Sequence, residues 1–287
     1  MGKIGLLAMD VDGTLLTPDG KVTDRTRQAL EQAERAHQVH LVLATGRRFH
    51  AVRPVAQNLG IRTPLITHNG ALIKNLETRS IYRYHWLEND IARRLIELGK
   101  QCGADTLALE DPDGDGRILT DSVSENNAPL KRYLEMNRAY VRPVPNLLHE
   151  VTGPVIQVMF CGPCRPMAEL AEILLAEMSE VTRLLMTAYP RNDMTILDLL
   201  NPAASKGTAL EFVAEFFEID QSDVMAVGDN HNDIDMLQYA GIGVVMGNAE
   251  PELLEMGFHR TASNTEDGLA KAVERFILGL ELGRKEE

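Results

Sequence analysis

The sequence predicts an α/β fold: a Rossmann-like, doubly wound parallel sheet with an α+β cap domain inserted into it. Two observations predict it. Short apolar runs alternate with amphipathic runs at both ends of the chain, the pattern of βαβ units that pair parallel strands beneath helices. In the middle this alternation gives way to paired strand-like runs about a Gly-rich turn, a mixed pattern foreign to a doubly wound sheet.

The elements follow in order. KIGLLAMD reads as a buried strand, DRTRQALEQAERAHQ as a helix with one polar face, HLVLA as a strand, RRFHAVRPVAQNLG as a helix and TPLIT as a third strand. The pattern resumes late: SKGTALEFVAEFFE is helical, DVMAVG a strand, NDIDMLQYAG helical, IGVVMG a strand and EDGLAKAVERFILGL helical. Between the two halves, ADTLALE and GRILTDS predict a hairpin across DPDGDG. A helical stretch over 128–139, the strand PVIQVMF, a helix over 166–178 and the strand VTRLLMTAY complete the middle. The core is therefore expected at residues 1–82 and 190–287, and the cap at 83–189. The tail GRKEE reads as a solvated end.

Composition limits the partners. With 287 residues the chain has room for two domains. Lys and Arg number 29 against 42 Asp and Glu, a net charge of −13, which repels nucleic acid. Aromatics at 5% leave few stacking surfaces for single strands. A small anion binds such a chain only where local positive charge overrides the global field. Three cysteines, an odd number, fit a reducing cytoplasmic setting rather than a disulfide framework. The apolar run from Ile4 to Met9 is strand-sized, so neither a signal peptide nor a membrane partner is expected.

In open α/β sheets ligands bind beyond the carboxyl ends of the strands. The first strand delivers Asp10-Val11-Asp12-Gly13-Thr14 there, the second Thr45-Gly46-Arg47, and the third Thr67-His68-Asn69-Gly70. Later strands deliver Asp198 and then Gly228 to Asp233. Asp10 and Asp12, two apart, are expected to face one side of an extended strand. With Asp229 they offer hard oxygen ligands to Mg²⁺. The Thr45 hydroxyl and the helix start after it offer a phosphate cradle. Ser205 is the expected N-cap of its helix, and Lys206 beside it supplies local positive charge. A carboxylate is able to attack phosphorus, while a second protonates the leaving alkoxide and then deprotonates water.

The same residues carry a resemblance. DVDGTLL, the following TGR, SKGTAL and GDNHNDIDML with AGIGVVMGNA resemble the motifs of the haloacid dehalogenase-like hydrolases. More narrowly they resemble the Cof-type phosphatases with a class IIB α/β cap between the second and third motifs. The four motifs span about 180 residues of core, in order. The resemblance implies that Asp10 is nucleophile and metal ligand. Asp12 would be acid/base, giving its main-chain carbonyl to Mg²⁺. Asp229 would be a ligand supported by Asp233. Thr45, Gly46, Lys206 and Asn232 would hold the phosphate with the Val11 main chain. Arg47 and Asn69 are candidates for substrate contact, Arg47 equally for a structural ion pair. THNGALI is similar to the family's SNGA stretch, with His68 in place of a smaller residue. The implied function is Mg²⁺-dependent hydrolysis of a small phosphorylated metabolite, a sugar phosphate or cofactor phosphate, through an aspartyl-phosphate. The alternatives on the same site are a phosphotransferase or phosphomutase and a weakly catalytic phosphometabolite sensor.

Two further motifs compete. EDPDGDGRILTDS matches a calcium loop at Asp111, Asp113, Asp115, Gly116 and Ile118, but Ser122 stands where the bidentate Glu belongs, so a hairpin loop is expected instead. Cys161-Gly-Pro-Cys164 follows a strand and precedes a helix, as a thiol-exchange site does. It lies in the inserted region behind Phe160, and its Gly-Pro pair is expected to make only the strand-to-helix turn.

Overall fold

The computed structural model describes residues 3–111 and 116–280. The chain begins with β1 (Leu6–Met9), α1 (Asp24–His37), β2 (His40–Leu43), α2 (Phe49–Asn58), β3 (Leu65–Thr67), β4 (Leu72–Lys74) and β5 (Ile81–Tyr84). It continues through α3 (Asn89–Gln101), β6 (Asp105–Glu110), β7 (Arg117–Thr120), α4 (Ala128–Met136), β8 (Val141–Pro143) and α5 (Leu147–Glu150). Next come β9 (Gln157–Gly162), α6 (Cys164–Met178), β10 (Arg183–Tyr189) and β11 (Met194–Leu200). It ends with α7 (Lys206–Phe216), β12 (Val224–Gly228), α8 (Ile234–Tyr239), β13 (Ile242–Val245), α9 (Pro251–Leu254), β14 (His259–Arg260) and α10 (Gly268–Phe276). Two units form: one runs to Tyr82 and resumes at Ser205, the other is Arg83–Ala204.

The first unit is built on a parallel sheet in the order β14-β13-β12-β1-β2. Its inner strands β1, β12 and β13 carry no polar side chain because both faces are covered. Leu7, Met9, Leu41, Leu43, Met225 and Val227 pack on one side with Leu30 of α1, Val52 of α2 and Val273 of α10. Leu6, Ala8, Val42, Val224 and Ala226 pack on the other with Leu210 and Val213 of α7 and Met236 of α8. The alternation of strand residues between the two clusters is the period of two that an extended backbone imposes. Thr23 caps α1, accepting the Thr26 N–H, and Ser205 caps α7, accepting the Thr208 N–H at 3.0 Å, as the sequence predicts.

The second unit is a six-stranded sheet in the order β10-β11-β9-β6-β7-β8, antiparallel except for β7 with β8. α3 and α6 cover one face through Leu95, Ile96, Leu170 and Leu174, packed on Val158, Phe160, Leu197 and Leu199. The predicted hairpin is β6–β7, and Asp111 Oδ1 closes it by accepting the Gly116 N–H at 2.6 Å. Asp113 and Asp115, like the GRKEE tail, lie outside the described residues.

Residues 190–204 belong to this second unit rather than to the core, which corrects the expected boundary at 190. The run MTILDLL has the composition of a core strand, but as β11 it pairs antiparallel with both β10 and β9. Composition fixes strand character and is silent on which sheet a strand joins. Asp198 therefore sits in the inserted sheet, opposite Met159 and Leu185, and not at a strand end of the core. There it accepts a hydrogen bond from Gln157 Nε2, and burial pushes its carboxyl up to about 7 despite that bond.

This shift has a definite sign. The folded chain holds a proton on Asp198 at pH values where the unfolded chain, with its ordinary value near ~4, has released it. The contribution of Asp198 to stability is therefore fully present below pH ~4 and is lost as pH rises to about 7. Asp198→Asn, which keeps an oxygen for Gln157, is expected to raise the thermal midpoint at pH 7.5 by an amount worth on the order of 1–3 kcal/mol, and to have a much smaller effect at pH 4.5. Equal effects at the two pH values would refute a buried neutral carboxyl.

Candidate active site

The clustered side chains described first all belong to the first unit. β1 carries the chain to Asp10, whose N–H still bonds to Val227 O at 3.0 Å. The strand then ends in a tight turn, with Leu15 N–H bonding to Asp10 O and Leu16 N–H to Val11 O. Gly13 takes φ +87° there, and a Cβ on it would lie 2.1 Å from Asp229 Oδ2, so no side chain fits. Asp10 and Asp12 differ in exposure and in partner: the Asp10 carboxylate is buried against Lys206, while the Asp12 side chain is 60% exposed and bound to Arg47.

Lys206, the first residue of α7, is the centre of the site. Its side chain is fully buried, and its Nζ donates to Asp10 Oδ1 and Asp233 Oδ1, each at 2.6 Å. The other oxygen of Asp233 accepts the N–H groups of Asp229 (2.9 Å) and Asn230 (3.0 Å). Asp233 thus fixes both the ammonium and the loop after β12. Asp229 in turn accepts from Thr14 Oγ1 at 2.9 Å.

One ammonium faces three carboxylates. Burial, then repulsion from Asp233, pushes the Asp10 carboxyl up to about 7, against the pull of Lys206. Burial with repulsion from Asp10 and Asp233 pushes Asp229 up to about 8. Burial disfavours the Lys206 ammonium, but Asp10 and Asp233 overcome this and hold it above its ordinary value. Ligand oxygens of Asp10, Asp229 and Asp233 lie within 4.8 Å of one another. Hard oxygens, an excess of negative charge and carboxyls raised by mutual repulsion fit a divalent cation. The Asp12 carboxylate, placed with this set by the sequence reading, is outside this cluster but near enough for its charge to add to the upward push on Asp10.

The cradle lies beside the cluster. Thr45 is buried, and its Oγ1 accepts the Arg47 N–H at 3.1 Å. Arg47 grips Asp12 with two hydrogen bonds, Nε to Oδ2 at 2.7 Å and a terminal nitrogen to Oδ1 at 2.6 Å. Of its two expected readings, the ion pair is the one this structure displays. Such a half-exposed pair is worth only about 0–1 kcal/mol, so Asp12 is tethered rather than locked. His68 and Asn69 are buried with left-handed backbones, φ 49° and 55°, followed by Gly70 at 95°. The strain is held by Asn69 N–H on Thr45 O, His68 N–H on Arg47 O, and the close fit of Gly70 under Ser205 O. Asn232 Nδ2 donates to Asn69 Oδ1 at 2.8 Å, joining the third strand end to the loop after the β12 strand. Val11 is fully buried behind them.

Two contributors, Thr14 and Asn248, are given no role by the sequence reading. Thr14 orients Asp229. Asn248 Nδ2 donates to Gly13 O at 2.9 Å and lies 3.5 Å from Asp229 Oδ2, and Asn248 Oδ1 accepts the Asn264 N–H. Asn248 belongs to the MGNA run, whose position after a core strand was the available signal. His231 pairs with Glu252 at 2.7 Å on the surface. The competing dithiol motif is inert by the same logic. Cys161 is a buried residue of β9, and burial pushes its thiol up to about 11, opposite to the shift an attacking thiol needs. Gly162-Pro163 makes the turn into α6.

A doubly wound sheet with acidic residues and an anion cradle at its strand ends, interrupted by an α+β insertion, defines a capped hydrolase of the phosphoryl-transfer class. The chain belongs to the haloacid dehalogenase-like hydrolases, whose family profile matches residues 7–273. It is 30% identical over 256 residues, 88% of this chain and 87% of the relative, to the HMP-PP phosphatase of Cronobacter sakazakii (strain ATCC BAA-894). A haloacid dehalogenase-like hydrolase from Bacteroides thetaiotaomicron shares its structure with a TM-score of 0.80 at 25% identity, over 95% of this chain and 99% of that one. A sugar phosphatase of HAD subclass IIB matches with a TM-score of 0.75 at 23% identity, over 95% and 98%, and shares the capped fold. The chain is a phosphoric monoester hydrolase of this family. No helix among the described residues is long and apolar enough to cross a membrane.

Removing the central cation gives a direct test of the cluster. Lys206→Met leaves Asp10 and Asp233 buried without a counter-charge, at an expected cost of about 3–5 kcal/mol at pH 8. Asp10, already raised by burial, then takes up a proton at higher pH than in the unfolded chain, so the loss shrinks as pH falls to 5. Urea unfolding at the two pH values measures it. A loss independent of pH would mean that Lys206 does not neutralise ionised carboxylates.

Proposed function

We propose that the protein is a Mg²⁺-dependent phosphatase of a small phosphorylated metabolite, acting through a phosphorylated Asp10. The observation that carries this reading is the buried Asp10 carboxylate, held by Lys206 in one cluster with Asp229 and Asp233. Asp10 attacks phosphorus and the ester P–O bond breaks. Asp12, once it has swung from Arg47 and taken a proton from solvent, gives that proton to the leaving oxygen, then takes one from the water that cleaves the acyl phosphate. Lys206, Asn232, the Thr45 hydroxyl and the Gly46 main chain hold the phosphate oxygens, with the Val11 main chain. Arg47, released from Asp12, and Asn69 face the substrate. Asp10, Asp229, a supporting Asp233 and the Asp12 carbonyl would hold Mg²⁺. The ion supplies charge neutralisation for the attacked phosphate and keeps Asp10 ionised.

The substrate class rests on chemistry and on relatives. A net charge of −13 disfavours a polyanionic substrate. The similar proteins named above are an HMP-PP phosphatase and a sugar phosphatase, both enzymes of small phosphorylated molecules. Three free cysteines support a reducing cytoplasmic compartment.

The test is phosphate release from a panel of sugar and cofactor phosphates, with Mg²⁺ and with EDTA. Asp10→Asn is expected to lower turnover by roughly 10³-fold or more, since it keeps shape and removes the nucleophile. Full activity in that variant would end the covalent reading. Asp12→Asn separates the second role. Its loss, roughly 10²–10⁴-fold on alkyl phosphates, is expected to be much smaller on p-nitrophenyl phosphate, whose leaving group needs no proton. An equal loss on both substrates would remove Asp12 from acid catalysis.

A further inference from the structure

A cavity of about 300 Å³ opens between α2 and the β4–β5 turn of the first unit. Arg53, Arg62 and Arg79 line it above a buried floor of Ile61 and Leu76, with Glu77 the single acid in the lining. In a chain with 42 acids and 29 basic residues, guanidinium groups readily find carboxylates. Arg25 pairs with Glu274, Arg47 with Asp12, and Arg94 with Glu177. Arg53 and Arg62 pair with no described residue. Nor are they needed at the end of α2, where the Asn58 carbonyl already accepts from Arg27 at 2.8 Å.

We propose that this cavity is a second anion site, taking the phosphate or pyrophosphate group of a small molecule independently of the carboxylate cluster. Planar guanidinium forks match phosphate oxygens in pairs. Cations outnumber acids three to one in the lining, the local condition under which an anion overcomes the field of an acidic chain. The volume is at the lower end for small-molecule sites, which fits a phosphorylated head group and excludes a macromolecule.

The probe is inorganic pyrophosphate, titrated calorimetrically at low ionic strength into the EDTA-treated protein, so that no metal-dependent site contributes. The wild type is expected to bind one pyrophosphate per chain saturably, and Arg53→Ala/Arg62→Ala to bind it roughly tenfold or more weakly with an unchanged thermal midpoint. Arg62→Gln alone, at an exposed position, is expected to give a smaller loss of the same sign. Absence of saturable binding to the wild type, or an affinity unchanged in both variants, would overturn the site.

Discussion

The ion triad Asp10–Lys206–Asp233 organises the molecule. Its members come from three separated segments: the end of β1, the start of α7 and the loop after β12. Asp10 precedes the inserted unit and the other two follow it, so the triad joins the two halves of a discontinuous core. Closing so long a loop costs entropy that grows only slowly with length. The hydrophobic clusters on both sides of the parallel sheet meet that cost. The triad adds geometry: with Nζ 2.6 Å from each carboxylate, the nucleophile candidate has a fixed position relative to the β12 loop.

A buried ion triad is not a route to stability, since desolvation consumes most of the attraction. Apolar residues of like volume would serve the fold as well or better. Its retention here makes sense as chemistry held under repulsion, because three acids share one ammonium. The raised Asp10 and Asp229 carboxyls express that repulsion. The strained His68-Asn69-Gly70 stretch is of the same kind: a costly backbone held in place by contacts to Thr45, Arg47 and Ser205.

What the sequence disclosed follows from periodicity and motif order. Strands and helices of the first unit are legible because strands buried on both faces read as continuous apolar runs between amphipathic helices. The residues Asp10, Thr45, Lys206, Asp229 and Asp233 are legible because strand ends in such sheets deliver ligands to one edge. Two things were hidden. MTILDLL reads alike in a parallel or an antiparallel sheet, so Asp198 was assigned to the wrong unit. Asp12 was expected among the clustered carboxylates, but its pairing with Arg47 of another segment is tertiary information. Asn248 and Thr14 stand in the runs AGIGVVMGNA and DVDGTLL, but the groups they hold lie in other segments, so their roles are absent from the local pattern.

The charge balance finally distinguishes the two places where an anion meets this acidic chain. At the carboxylate cluster Lys206 is already bonded to two acids, so its charge is not free for an anion. A phosphate arriving there meets repulsion unless a divalent ion enters with it; anion and cation belong to one binding event. At the α2 cavity the guanidinium groups of Arg53 and Arg62 are uncompensated, and an anion is welcome by itself. The same global field thus makes one site conditional on metal and the other independent of it. That difference is set by which cations have been given carboxylate partners, not by how many the chain contains.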